Sequence, residues 1–260
     1  MTLKISCLIT SYNNGPWIRR SIESAVNQTY PVSEIIVADD ASTDDSRDIV
    51  RSLSTIYPGI RVILREKNVG VAANRDLAIR EAQGDFITTL DGDDFYYPDK
   101  VEKEANAMAR LGPECIVYSN FDRIDVAEKV HERIQLANFS SLSKEKIISY
   151  FLFRTGVLPR DMLFAKALFF KAGGYRHSLK MYEDWDIKLR LAREAARWMP
   201  SGTIGVAHRH HGAGLSDLDS LTHLQYMLDV IYSNRTWLEP MLGVNSIKNA
   251  LARVIQSRLV

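Results

Sequence analysis

The chain has 260 residues, 46% of them apolar, enough to bury a sizeable core as one large domain or as a domain with an appendage. Its 33 basic residues against 32 acidic ones leave a net charge of +1, and with no run of Lys or Arg nothing in it asks for nucleic acid. The lone pair of cysteines, Cys7 and Cys115, argues against a disulfide framework and for a reducing cytoplasm, and no window approaches the roughly 20 apolar residues of a spanning helix.

Short β-branched runs alternate with amphipathic ones along the first half. Strands are predicted at residues 5–10, 34–38, 61–65, 86–90 and 115–119, and helices at 17–26, 44–53, 71–82 and 99–111. Pro98 stands at a favoured first-turn position of the last of these helices. This order predicts an α/β fold with a doubly wound, mostly parallel sheet flanked by helices. The pattern loosens over 121–143, becomes helical at 144–153 and regains order over 162–195. A final helical stretch runs over 217–260, broken at Pro240 and Gly243.

The most informative stretch is Leu90-Asp91-Gly92-Asp93-Asp94, where an apolar strand runs straight into three carboxylates. Carboxylates this close repel one another, and a hard divalent cation, Mg²⁺ or Mn²⁺, is the usual relief. The first strand-to-helix turn, Ser11 to Pro16, carries one glycine and no G-x-G-x-x-G, which argues against NAD and FAD. The second strand ends in Asp39-Asp40-Ala41-Ser42-Thr43-Asp44. There Asp39 or Asp40 could accept a nucleobase N–H, while Ser42, Thr43 or Asp44 caps the next helix.

Taken in order, these motifs resemble those of a family-two glycosyltransferase of the GT-A fold. Ile9-Thr10-Ser11-Tyr12-Asn13 is similar to the family's opening strand end, and Asp39 to Asp44 to its "DDGSTD". Asn68-Val69-Gly70 through Arg75 and Asp91-Gly92-Asp93-Asp94 follow, the latter resembling its "DxDD". Gly173-Gly174-Tyr175, then Glu183-Asp184-Trp185-Asp186 with Arg190, resembles "GGF…EDwDl…R", and His208-Arg209-His210-His211-Gly212…Leu215-Ser216 closes the series. Ala41 stands where the family usually has Gly, which implies a turn without a positive φ there.

The resemblance implies an inverting, metal-dependent enzyme that moves a sugar from a nucleotide-diphosphate donor, UDP-sugar favoured, to a glycan, polysaccharide or lipid-linked acceptor of the cell envelope. By similarity, Asp39 receives the pyrimidine N3–H, Thr10 and Tyr12 line the base pocket, Arg75 lies near the uracil and diphosphate, and Asp91 lies nearer the ribose. Asp93 is the carboxylate on the Mn²⁺ or Mg²⁺, with Asp94 orienting. His211 is the best candidate for a late metal or diphosphate contact, with His208 and His210 as alternatives. Asp184 is the implied general base and Glu183 its orienter, while Trp185 could stack on a sugar or belong to the core. Residues 1–216 would form the transferase domain, split into a nucleotide-sugar half (1–120) and an acceptor half (121–216), followed by a helical extension (217–260).

That extension carries apolar residues at helical spacing with Lys248, Arg253 and Arg258 beside them. It could pack on the domain, pair two copies as a homodimer, or touch the inner membrane face peripherally. Two rival functions remain. A nucleotidyltransferase making activated sugars would carry a Gly-rich basic loop after the first strand, and a non-catalytic nucleotide- or glycan-binding domain would lack a metal or base carboxylate. The chain has neither of those traits.

Overall fold

The computed structural model describes residues 2–212 and 219–259. Strands β1 (Ile5–Ser11), β2 (Glu34–Asp39), β3 (Ile60–Leu64) and β4 (Phe86–Asp91) pair in parallel in the order β3-β2-β1-β4. Every residue of β1 is buried, because helices cover both faces of the sheet, and its sequence is accordingly a continuous run without polar alternation. Side chains still alternate in direction. Ile9, Val37 and Leu90 pack under α1 (Gly15–Val26), α2 (Ser46–Ile56) and α4 (Lys100–Leu111), joining Ile18, Val50 and Met108. Leu8, Ile36 and Ile87 face the other way, toward Ile79 of α3 (Val71–Glu81).

Beyond β4 the sheet becomes mixed. It continues through β8 (Leu163–Ala165), β6 (Cys115–Ile124), β9 (Arg197–Arg209) and β5 (Phe95–Tyr96), with β7 (Val130–Ile134) forming a hairpin on β6. Strand β8 is antiparallel to both neighbours, while β9 is parallel to β6 and antiparallel to β5. The sequence pattern loosens at residues 121–143 because β6 runs on to Ile124 and β7 is exposed along four of its five residues.

Helices α5 (Lys144–Phe153), α6 (Lys166–Lys171), α7 (Glu183–Glu194), α8 (Ser220–Leu242) and α9 (Val244–Leu259) complete the second core. Phe151, Phe169, Trp185, Val230 and Val254 meet there in one buried cluster, so both C-terminal helices pack against the same core as the rest of the chain. Truncating a fully buried aromatic such as Phe151 would cost about 3–5 kcal/mol. The break expected at Pro240 does not occur. Helix α8 carries that proline in its last turn and stops at Gly243, whose φ of 83° lies in the left-handed region. No helix among the described residues is long and apolar enough to cross a membrane.

The turn after β2 corrects an expectation. Ala41 has φ 64°, the left-handed conformation expected to be avoided there. Its neighbours impose it: Asp39 accepts hydrogen bonds from Ser42 N at 2.9 Å and Ser42 Oγ at 2.5 Å, while Asp40 accepts from Val69 N at 2.8 Å and Gly70 N at 2.9 Å. An L-residue held so costs about 1–2 kcal/mol. None of Ser42, Thr43 and Asp44 caps α2, since the residue at the cap position is Asp45 and its side chain makes no capping bond. Asp44 instead accepts from Gly15 N at 2.9 Å and Ser46 N at 3.0 Å, tying the starts of α1 and α2 together.

Candidate active site

Register brings the polar strand ends to one edge: Thr10 stands opposite Asp91, and Ser11 opposite Asp39. They open on a cleft of about 1890 Å³. That exceeds the roughly 300–1,000 Å³ of a pocket for one small ligand, so there is room for two substrates.

The carboxylates at the end of β4 meet different fates. Asp91 accepts from Thr10 Oγ1 at 3.1 Å, Arg75 Nη2 at 2.5 Å and Arg160 Nη2 at 3.2 Å. Burial would raise its pKa, but the two guanidiniums outweigh it and hold the value below the usual range. Asp94 is buried and points away from the cleft, accepting from Arg209 N at 2.7 Å and Arg160 Nη2 at 2.8 Å. Burial pushes it up to about 7, against the pull of Arg160 and with help from Asp91. His208 Nδ1 lies 3.2 Å from both Asp94 oxygens, and burial, then Arg160, push this imidazole down to about 3. It is neutral at physiological pH.

Asp93 is the member of the trio turned to the cleft without a guanidinium. Burial raises its pKa, and the charges of Asp94 and Asp91 add to that. His211 Nε2 lies 3.0 Å from it, with the imidazole stacked on Trp17 at 4.4 Å between ring centroids. His211 Nδ1 is buried with no hydrogen-bond partner among the described residues. His210 lines the cleft from an exposed position. Gly92 separates the carboxylates because a Cβ there would lie 2.8 Å from the Thr10 carbonyl oxygen.

The opposite wall is the start of α7. Tyr182, at φ 60°, precedes the helix and aims Glu183 and Asp184 into the cleft. Glu183 is buried and accepts from Arg75 Nη1 at 3.1 Å, and burial lifts it to about 7 despite that cation. Asp184 is 49% exposed along its side chain and accepts from Lys188 Nζ at 2.6 Å. The surrounding walls work toward a higher value, but Lys188 and then Arg75 together hold Asp184 at about 2. Trp185 is a core residue, 1% exposed, with its indole N–H donating to the Phe151 carbonyl at 2.7 Å. Asp186 is also structural, bound by Arg176, Arg190 and Asn234 of α8. A second tie runs from Tyr182 Oη to His223 Nδ1 of α8 at 2.8 Å.

Of the residues expected at the site, Thr10, Tyr12, Arg75, Asp91, Asp93, Glu183, Asp184 and His211 line this cleft. Asp39 does not. Its side chain is fully buried and turned to Ser42, whereas Asp40, also buried and accepting from Val69 N and Gly70 N, is the member of the pair that lines the cleft. Sequence reading missed Arg160 and Trp17. Arg160 lies in an aperiodic loop that gave no signal, and Trp17 reads as an ordinary helix start. The last motif residues, Leu215 and Ser216, lie outside the described residues.

A twisted sheet with carboxylates gathered at the ends of its parallel strands, facing a second acidic pair on a helix start, defines a glycosyltransferase of the GT-A fold. The family described as Glycosyl transferase family 2 matches residues 6–169, more than half of the chain, and the chain belongs to it. An uncharacterized glycosyltransferase of Rickettsia prowazekii is 32% identical over 192 residues, 73% of this chain and 58% of that protein. The chondroitin synthase of Escherichia coli is 30% identical over 188 residues, 72% of this chain. The matched part spans only 26% of the synthase. The crystal structure of S. aureus TarS 1-349 in complex with UDP-GlcNAc has a TM-score of 0.72 at 17% identity, covering 98% of this chain and 82% of that one. That last likeness is one of fold.

Proposed function

We propose that the protein is an inverting, metal-assisted transferase that moves a sugar from a UDP-type donor to a glycan, polysaccharide or lipid-linked acceptor. One observation carries the reading: Arg75 joins Asp91 at the end of β4 to Glu183 at the start of α7, so the two acidic motifs face each other across one cleft. The UDP-GlcNAc bound to TarS and the polysaccharide named for chondroitin synthase support the donor and acceptor classes.

A divalent cation fits the residues present. Asp93 sits where burial and two neighbouring carboxylates disfavour its own charge, and the buried His211 Nδ1 has no partner among the described residues. Asp93 and His211 would hold Mn²⁺ or Mg²⁺. Among the described residues no group of three or more His, Cys, Asp and Glu could hold a metal, so donor oxygens and water would have to supply the remaining ligands. When bound, the cation neutralises charge on the leaving diphosphate.

The protein groups do the rest. Tyr12, 49% exposed at the cleft, offers its ring to the base, and Asp40 takes over the N3–H contact first assigned to Asp39. Asp184, ionised and half-exposed, accepts the proton of the attacking hydroxyl, while the buried Glu183 holds Arg75 in place. With Asp184 as the single base, transfer proceeds by one in-line displacement, which inverts the anomeric carbon. Residues 1–216 form the transferase domain in this reading, with the donor half at 1–120, the acceptor half at 121–216 and the extension at 217–260. Arg253 and Ser257 of α9 line the cleft, where a lipid-linked acceptor at the inner membrane face would meet them in the cytoplasm.

Calorimetry with UDP in the presence and absence of Mn²⁺ tests the assignment. Mn²⁺ should tighten UDP binding by about tenfold or more, and Asp93→Ala should abolish that gain. Equal affinity with EDTA in the native protein would remove the metal from the reading. Nucleotide release over UDP-, dTDP- and GDP-sugars then identifies the donor.

A further inference from the structure

Two guanidiniums grip the carboxylates at the end of β4, and they differ in what they have left to offer. Arg75 is engaged on both terminal nitrogens, Nη1 with Glu183 and Nη2 with Asp91, and its Nε is buried. Arg160, in the loop between α5 and β8, donates from Nε to Asp161 at 2.8 Å and from Nη2 to Asp94 at 2.8 Å and Asp91 at 3.2 Å. Its Nη1 makes no hydrogen bond among the described residues, and the side chain, 20% exposed, lines the cleft. A guanidinium carries five N–H donors, so the two on Nη1 are left for a ligand.

The group is also held still. Its ring neighbour Phe121 lies 5.8 Å away, and its carboxylate partners Asp94 and Asp161 are themselves buried. Behind Asp161, the fully buried Lys100 donates to the Asp161 carbonyl at 2.6 Å and pairs with Glu104 at 2.8 Å. A planar fork so fixed, with one arm open, matches a phosphate oxygen better than a mobile lysine would. It stands between Asp91, on the ribose side, and Asp94, the neighbour of Asp93. In the nucleotide-diphosphate reading, the diphosphate lies between the cleft-lining Asp91 and Asp93, the side on which Arg160 also lines the cleft.

We infer that Arg160 binds the terminal phosphate of the nucleoside diphosphate through Nη1, so that diphosphate recognition has a share that needs no metal. The inference rests on the nucleotide-diphosphate reading above. It adds a second cation to the donor site, one that belongs to the chain.

The test is calorimetry in EDTA with UMP and UDP, on the native protein, Arg160→Gln and Arg160→Lys. The native protein should bind UDP about tenfold or more tighter than UMP without metal. In Arg160→Gln that preference should shrink to about twofold while UMP affinity stays within about twofold, and Mn²⁺ should restore much of the UDP binding because Asp93 and His211 are untouched. Arg160→Lys keeps a charge beside Asp94 and Asp161 and should retain a preference of about threefold, which keeps the test alive if the Gln variant does not fold. No preference for UDP in the native protein, an unchanged preference in either variant, or a loss of UMP equal to the loss of UDP would each overturn it. A native protein that binds neither nucleotide, with or without Mn²⁺, would instead overturn the nucleotide reading itself.

Discussion

The two walls of the cleft are built differently. The donor wall comes from three adjacent parallel strands: register sets Thr10 opposite Asp91 and Ser11 opposite Asp39, and Asp40, one residue past β2, is fixed by Val69 N and Gly70 N. The acceptor wall is one helix start, whose half-exposed Asp184 is held by Lys188 a turn away and whose frame is fixed from α8, more than 40 positions downstream. A wall made by pairing is pre-formed and rigid. A wall made by distant packing leaves its reacting group accessible, which suits a base that must meet a second substrate.

The sharpest way to break this comparison is Asp184→Asn. Deprotonating a hydroxyl is needed for transfer and not for holding the donor, so turnover should fall by about 10²–10⁴ with UDP affinity within about threefold. Single-turnover assays beside calorimetry read both, and anomeric NMR of the product should show inversion. Near-normal turnover would mean that the acidic pair only starts a helix.

On the donor wall, Asp40 and Asp39 should separate cleanly. Both Asp→Asn changes should lower the melting temperature, since each takes a carboxylate acceptor from a buried turn, but only Asp40→Asn should also weaken UDP, by about 1–3 kcal/mol. Tighter binding of CDP than UDP by the native protein would refute a carboxylate at the base N3 position.

The pH dependence of stability sharpens the contrast further. Glu183 is raised to about 7, so the folded state keeps a proton that the unfolded chain releases at ordinary carboxylate pH. Its contribution is complete below the unfolded pKa and lost as pH rises through about 7. Thermal melts of the metal-free protein should therefore show Glu183→Gln flattening the decline between about pH 5 and about pH 8, by on the order of 1–2 kcal/mol. His208, pushed down to about 3, acts in the opposite sense, favouring the fold as pH rises through the unfolded histidine value, while Asp94, raised to about 7, adds to the decline, so the Glu183 share is read from the difference between Glu183→Gln and the native protein.

The smallest expected effect is Ala41→Gly. Relief of the left-handed strain, less the entropy of an added glycine, should stabilise the fold by about 0.5–1 kcal/mol, readable as a rise in urea midpoint with unchanged slope. A loss of stability would show that Ala41 packs where its backbone suffers.

The donor wall was legible because each apolar strand ends in polar punctuation, at Asp39-Asp40 and at Asp91 to Asp94, and parallel strands gather such ends. What could not be read was direction. Asp39 and Asp40 are one position apart, and which of them faces the cleft depends on a turn whose geometry Ser42, Val69 and Gly70 set. Ala41 was misread for the same reason: its conformation comes from its neighbours' bonds, not from its own preference. Arg160 was invisible, since a loop has no period and a guanidinium shows its partners only once three carboxylates converge on it. Strands β8 and β9 lie in stretches where the pairing partner is distant in sequence.

The ties from α8 to α7 carry a consequence for how the chain divides. The family match covers residues 6–169 and ends before the acidic pair, while His223 and Asn234 hold that pair's helix from beyond it. The matched stretch is therefore shorter than the unit that works. Grafting the matched stretch onto a foreign C-terminus would carry over a place for the nucleotide and leave behind the anvil on which the acceptor is struck.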